Sequence, residues 1–317
     1  MTRYVLRRLV GAIAVLFVVS IVVFSLLRLA PGDPASVLAG PDATPNVVAA
    51  IRHELGLDRS PFLQYFSWLG DLFTGNLGMS YTIHRPISEL IGQRFGSTLQ
   101  LTVAAAILMV VFGVLMGVML ATSRFRVVRQ VIDWLATVSL ALPPFVSGVI
   151  LIFVFAVVWG VLPSGGDASM ITDTGDALRR LILPSVAMAL PGAPVIARLL
   201  ATEMRRSRDQ EFVLTAMAKG ASLRWITWRH VVPNSLGPAV IEVGIRIGHL
   251  LGGAVVAEAI FARAGLGSLL VQSVETRDYL LAQVLLLLAI AAAIIAQLAA
   301  ELVIATVDPR IRLGAKE

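Results

Sequence analysis

Six apolar stretches, each long enough to cross a bilayer, decide what this chain can become. They run Leu9–Leu27, Leu99–Ala121, Val131–Leu162, Leu181–Leu200, Leu236–Ile260 and Leu280–Val307. A helix crosses the hydrocarbon layer in about 20 residues. Inside that layer water cannot satisfy the backbone, so a helix must satisfy itself. The expected fold class is therefore an all-α membrane protein with six transmembrane helices. The composition agrees: 57% of residues are hydrophobic and only 15% are charged. That leaves too few charges to solubilise so much apolar surface. The third stretch carries Pro143-Pro144 at its middle. It reads as one kinked span, since its halves are each too short; a helix followed by a re-entrant stretch is the alternative.

The net charge of +6 is carried almost wholly by arginine, with Lys219 and Lys316 the only lysines. On a soluble chain this would suggest nucleic acid. Here the basic residues stand between apolar runs, so they set membrane orientation instead. With the N-terminus inside, inner segments hold fifteen Arg and Lys, and the two short outer loops hold four. Both termini are therefore expected in the cytoplasm. Arg3, Arg7 and Arg8 ahead of the first run imitate a signal peptide, but the run is too long and no small-residue cleavage site follows. It reads as an uncleaved anchor. Three parts follow: residues 1–30 with the first span, an extracytoplasmic helical loop 31–96, and a five-span core 97–317 whose cytoplasmic loop covers 203–234.

The loop after the first span reads as short capped helices. Thr44-Pro45 opens one ending near Gly56, Ser60-Pro61 opens another over Phe62–Phe73 closed by Gly75, and Pro86 opens a third. Proline suits a first helical turn behind a hydroxyl cap. Phe62, Tyr65, Phe66, Trp68 and Phe73 give the middle helix an apolar side. Two readings stand: a small lid on the membrane part, or a docking surface for an extracytoplasmic partner.

Several chemistries are excluded. The chain has no cysteine, and His53, His84, His230 and His249 are far apart, so no metal cluster is expected. Neither lysine follows the glycine-rich turn of a phosphate-binding loop, so ATP hydrolysis is excluded. His53-Glu54-Leu55-Gly56-Leu57 lacks the second histidine of a zinc protease. No G-x-S-x-G elbow or paired intramembrane carboxylates point to a hydrolase, and nothing resembles a channel filter. No catalytic residue is expected.

The most informative segment is Arg205–Asn234. Two helical pieces, Asp209–Lys219 and Ser222–His230, flank Gly220, which permits a turn that a side chain would hinder. Such a segment either lies amphipathically in the headgroups or presents a short helix to a soluble partner's groove. Thr215-Ala216-x-x-x-Gly220, followed after twelve residues by Pro233, resembles the "EAA" loop of ABC importer permeases. Leu214 stands where that family's glutamate would be. Thr215–Gly220, His230 and Pro233-Asn234 are similar to the dipeptide/oligopeptide/nickel branch, which often lacks the glutamate.

Other stretches resemble the same branch: Leu27–Pro34, Leu55–Asp58, Gly75–Ser80, Gly252–Gly267 and Asp308–Arg312. The resemblance implies a MetI-like ABC importer permease fold in the bacterial inner membrane, multi-pass among lipid. It implies a non-catalytic subunit for peptide import, with nickel or another small solute as the alternative. A stand-alone secondary transporter or channel is the reading from another class. The implied partners are a second related permease, one or two ATPase subunits carrying ATP and Mg, and an extracytoplasmic solute-binding protein. This chain itself would bind no cofactor. The implied coupling residues are Glu211, Thr215, Ala216, Lys219, Gly220, Arg224, His230 and Pro233.

The fifth span adds a polar face. On a helical wheel Glu242, Arg246, His249 and Gly253 fall together on one narrow face, because they are spaced by three or four residues. Gly244, Gly248 and Gly252 fall on the opposite side as a small-residue packing ridge. Charges within a span normally face a bundle interior or water-filled cavity. Glu242, Arg246 and His249 are thus candidate passage or gate residues; a purely structural Glu242–Arg246 pair is the bland reading. Gly113 and Gly117 read as helix packing. Pro184, Pro191 and Pro194 are expected to kink the fourth span. Tyr65, Trp68 and Glu258 are candidate contacts for the binding protein, and a helix cap is the other reading of Glu258.

Overall fold

The computed structural model describes residues 2–29, 33–40, 42–168, 170 and 172–307. Among them the regular structure is helical, with one isolated antiparallel bridge between Met79 and Pro86. The Ala30–Gly32 part of the first similar motif and the whole of Asp308–Arg312 lie outside the described residues.

The first apolar run lies in α1 (Thr2–Leu29). Three short helices follow: α2 (Pro34–Ala39), α3 (Pro45–Glu54) and α4 (Pro61–Phe73). Their starts follow the caps in the sequence. Asp33 accepts from Ala35 N–H, and Ser60 Oγ accepts from Leu63 N–H at 3.4 Å. Gly56 and Gly75 take the left-handed conformation after α3 and α4. The Arg52 guanidinium donates to Asp33 at 2.7 Å, tying α3 to α2.

The third outer helix expected from Pro86 is not separate. It forms the first turns of α5 (Ile87–Thr122), 36 residues without a break. The boundary drawn at 96/97 therefore falls inside a helix.

The third apolar stretch is sharply broken at Pro143-Pro144, a bend that fits either one broken span or a re-entrant pair. It is α6 (Arg126–Ala141) and α7 (Pro144–Leu151), with α7 continuing as a widened π-type coil to Val158, and the two arms bend by 113°. Two successive prolines remove two N–H donors, and each drives its predecessor out of the helical region. Leu142 and Pro143 accordingly sit at ψ 125° and 141°. The fourth stretch lies in α8 (Thr174–Ala189) and α9 (Ala193–Arg208), bent by 58°. Of its three prolines, Pro191 lies in the break, Pro194 in the first turn of α9, and Pro184 inside a continuous α8.

Next come α10 (Glu211–Ala218), α11 (Leu223–Ile226) and, after a π-type turn at Thr227–Val231, α12 (Val232–Ile260). The chain finishes with α13 (Leu266–Glu275) and α14 (Tyr279–Val307). Among the described residues, four helical segments are individually long and apolar enough to span, and up to six spans result if each bent pair is one crossing.

The main core joins α5, α9 and α12 through Leu101, Met109, Ile196, Leu200, Met204 and Ala254, all essentially buried. Gly113 and Gly117 set the α5–α9 approach. A Cβ on Gly113 would lie 2.9 Å from Ile196 Cβ, and one on Gly117 2.9 Å from the Ala197 carbonyl oxygen. On the ridge expected on α12, Gly244 is buried, while a Cβ on Gly248 would meet only the Ala293 carbonyl at 3.7 Å and one on Gly252 nothing within 4 Å.

Candidate coupling lever and polar passage

The end of α9 is anchored by arginine. Arg205 donates to the Leu120 carbonyl at 3.2 Å, and Arg208 to the Ala121 carbonyl at 2.9 Å and Thr227 Oγ1 at 3.4 Å. The last carbonyls of a helix lack intrahelical partners and carry partial negative charge, so guanidinium groups suit the end of α5.

From this anchor α10 and α11 form a bent lever. Gly220 has φ +81°, Ala221 N–H donates to the Ala216 carbonyl at 3.1 Å, and Gly220 N–H to that of Met217 at 2.9 Å. This is the Schellman ending, in which a left-handed residue satisfies the last carbonyls. Ser222 Oγ then accepts from Trp225 N–H at 3.3 Å and starts α11.

Val213 and Ile226 are the buried anchors of the two pieces. Leu214, Met217, Leu223, Trp225 and Trp228 stay exposed. Glu211 stands in the first turn of α10, where its charge suits the helix dipole, and its carbonyl accepts from Thr215 Oγ1 at 3.0 Å. Thr215, Lys219, Arg224 and Pro233 are exposed, while Ala216 is half-buried against the core. His230 packs its ring 5.0 Å edge-on from Trp225 and 6.3 Å from Phe212. Thr215, Ala216, Lys219, Gly220 and His230 all line one open groove across the bend.

The polar face of α12 meets a cavity of about 250 Å³. Arg246, His249 and Gly253 line it, facing Met109, Pro144, Pro191 and Gly192. Both proline breaks thus open onto the same space. Glu242 is not in the lining; it accepts from Arg246 Nε at 2.6 Å, one turn away, and both side chains keep partial exposure. The pair places a charge-balanced donor set beside a wall otherwise mostly apolar. A Cβ on Gly192 would push the Met109 side chain aside.

At the opposite end, three candidates serve the fold instead. Glu258 is 0% exposed. Its carboxylate accepts from Thr98 Oγ1 at 2.6 Å, Gly267 N–H at 2.7 Å and Ser268 N–H at 3.0 Å. It caps α13 from inside, and Gly265 must lack a side chain to let it do so. It is therefore not a surface contact. Tyr65 and Trp68 are also buried. Tyr65 Oη shares a 2.8 Å hydrogen bond with Ser20 Oγ, and both rings pack on Phe24 of α1. They belong to the packing reading of α4, not to a docking surface.

Two polar anchors escaped the sequence reading. Asp278, 0% exposed, accepts from Ser80 Oγ at 2.5 Å, from Thr82 N–H and Oγ1 at 3.2 Å each, and from Leu281 N–H at 3.2 Å. It clamps the turn before α5 to the start of α14. Arg263, 3% exposed, pairs with Asp167 at 2.5 Å and donates to Ser97 at 3.1 Å. Burial pulls the Arg263 guanidinium below its ordinary range, while the Asp167 and Glu258 charges act the other way. Both pairings join residues far apart in sequence, which no local pattern signals.

Apolar helices thus surround a mostly apolar cavity that carries Arg246 and His249, with the arginine-anchored α10–α11 segment at one end. The chain belongs to the family of binding-protein-dependent transport system inner membrane components, which matches residues 113–313, and the corresponding N-terminal family matches residues 1–102. It is 36% identical over 312 residues to the glutathione transport system permease protein GsiC of Escherichia coli, covering 98% of this chain and 99% of that one. It is 38% identical over 309 residues to the "Probable peptide ABC transporter permease protein y4tP" of Sinorhizobium fredii, with the same coverage. The fold is similar to a chain of the MetNI methionine ABC transporter in an inward-facing conformation, with TM-score 0.57 and 19% identity, covering 69% of this chain and 96% of that one. The protein is thus an ABC importer permease subunit of the peptide branch, a multi-pass component of the bacterial inner membrane. Permeases of this family work with an ATPase and a solute-binding protein.

Proposed function

We propose that this subunit forms half of the passage of a peptide importer and receives its driving stroke through the α10–α11 lever. The peptide assignment draws on the relatives named for glutathione and peptide transport. A second related permease supplies the other half of the passage. One or two ATPase subunits bind ATP and Mg, and a binding protein delivers solute at the end opposite the lever. Both termini and the lever lie in the cytoplasm, a reading that the arginine distribution supports. This chain makes and breaks no covalent bond.

The observation that carries the proposal is the lever itself. Its apolar residues Leu214, Met217, Leu223, Trp225 and Trp228 stay exposed, while Arg205 and Arg208 fix its base to α5. Large apolar residues left exposed together on one short segment point to a protein interface. A short helix presented to a groove is a standard recognition mode. Through Thr227 and the coil after it, a push on α11 passes into α12, whose polar face borders the cavity.

The test is Gly220→Pro. Proline fixes φ near −65° and lacks the N–H that donates to Met217, so it cannot take a φ of +81°. In the assembled complex, substrate-stimulated ATP hydrolysis should be lost. Unchanged stimulation would end the assignment.

A further inference from the structure

Helix α4 has three faces. The helical repeat places Tyr65, Trp68 and Leu72 on one side, Phe62, Phe66 and Phe73 on the side next to it, and Ser67 and Asp71 on a third. The first face is buried. Tyr65 and Trp68 form a cluster with Phe24 of α1, against which Leu72, Leu280 and Leu287 also pack. The second face is wholly apolar and yet open: Phe62 is 78% exposed, Phe66 60% and Phe73 84%. The third is polar and exposed.

The positions touched by the first face fix its depth. Phe24 and Ser20 precede the end of the apolar run at Leu27 by three and seven residues, or about 5 and 10 Å of helix rise. Leu287 lies eight residues into α14, about 12 Å from its start. Tyr65 thus reaches its hydroxyl to a serine well inside a transmembrane helix. Meanwhile the charged Asp58 and Arg59 stay exposed just before α4 begins. A helix held at that level cannot stand clear of the bilayer.

We propose that α4 is an interfacial helix, lying at the boundary of headgroups and acyl chains on the side opposite the lever. Its Phe62/Phe66/Phe73 edge is immersed in lipid and its Ser67/Asp71 edge faces water. The apolar edge commits to lipid because it adjoins the face packed on two spanning helices and so continues their lipid-exposed surface. A polar edge against water and an apolar edge a few ångströms into the layer is how interfacial helices sit. Part of the segment between the first two spans is therefore a membrane anchor.

The absence of cysteine makes the test direct. Single cysteines replace Phe62, Phe66, Phe73, Ser67 or Asp71, and each variant is assembled with cysteine-free partners into phospholipid nanodiscs. A nitroxide at each site is then probed for collision with oxygen, which concentrates in lipid, and with a water-soluble nickel chelate. Sites 62, 66 and 73 should favour oxygen severalfold, and sites 67 and 71 the chelate. Chelate access at 62 and 66 would place α4 in water and overturn the proposal. Protection of those sites from both reagents would overturn it in favour of a protein interface. All five positions are exposed, so these substitutions leave packing intact, and retained transport by each variant verifies this.

Discussion

Replacing Glu258 with alanine should weaken the structure and leave recognition of the binding protein to other residues. The buried carboxylate holds three donors at 2.6, 2.7 and 3.0 Å, two of them backbone N–H groups at the start of α13. A hydrogen bond to a charged acceptor contributes about 1.5–3 kcal/mol, and a buried donor left without a partner loses about 1–3 kcal/mol. Allowing for water entering the space, the alanine variant should lose on the order of 3–6 kcal/mol. For a chain of this size that is a fall in apparent melting temperature on the order of 10 °C. Glu258→Gln keeps an acceptor oxygen but sets an amide N–H₂ against one donor, so it should fall between. The assay is thermal unfolding of the purified complex, with binding-protein affinity measured in parallel at low temperature. If Glu258→Ala melts with the wild type while affinity for the binding protein falls, the internal cap is wrong and the carboxylate is a docking group.

Gly117→Leu should lower stability by about 1–3 kcal/mol or more, because overpacking forces α5 from α9; thermal unfolding reads it directly. His249→Trp should fill the cavity beside Arg246 and reduce uptake severalfold while the complex still assembles; unchanged uptake would show that this face does not border the passage. The Asp33 tether should fail in acid. Burial pushes Asp33 upward, but hydrogen bonds from Arg52, Ser36 and the Ala35 N–H, with the Arg52 charge, outweigh it and hold the carboxyl below its ordinary range. Its contribution is therefore present above about pH 4 and lost as pH falls through the lower folded value. Limited proteolysis between α2 and α3 should accelerate there, and Asp33→Asn should remove the pH dependence.

What the sequence disclosed was what repeats or caps locally. The apolar runs, the Ser60 cap, the left-handed Gly220 and the one-turn spacing of Glu242 and Arg246 each follow from residues a few positions apart. Pro143-Pro144 marked a break, but its angle depends on what α6 and α7 pack against. Aromatic spacing on α4 gives an apolar side without saying which ring meets α1 and which stays open, so the pattern alone leaves Tyr65 and Trp68 open to packing or docking. Glu258 and Asp278 find their partners across the fold: Thr98 lies 160 positions before Glu258 and Ser80 lies 198 before Asp278. A carboxylate in a sequence does not say whether its donors come from solvent, a partner or another helix.

Residues Leu223 to Ile260 make one 38-residue helical stretch, about 57 Å from end to end. One tip is the part of the lever that a nucleotide-driven subunit would grip; the other carries the carboxylate that fastens α13. If this stretch pivots about its middle, a tilt of about 5° carries each tip by about 2.5 Å, in opposite directions. A stroke delivered at one tip of such a beam is then felt at the other, so the proposed lever and the α13 end would move together.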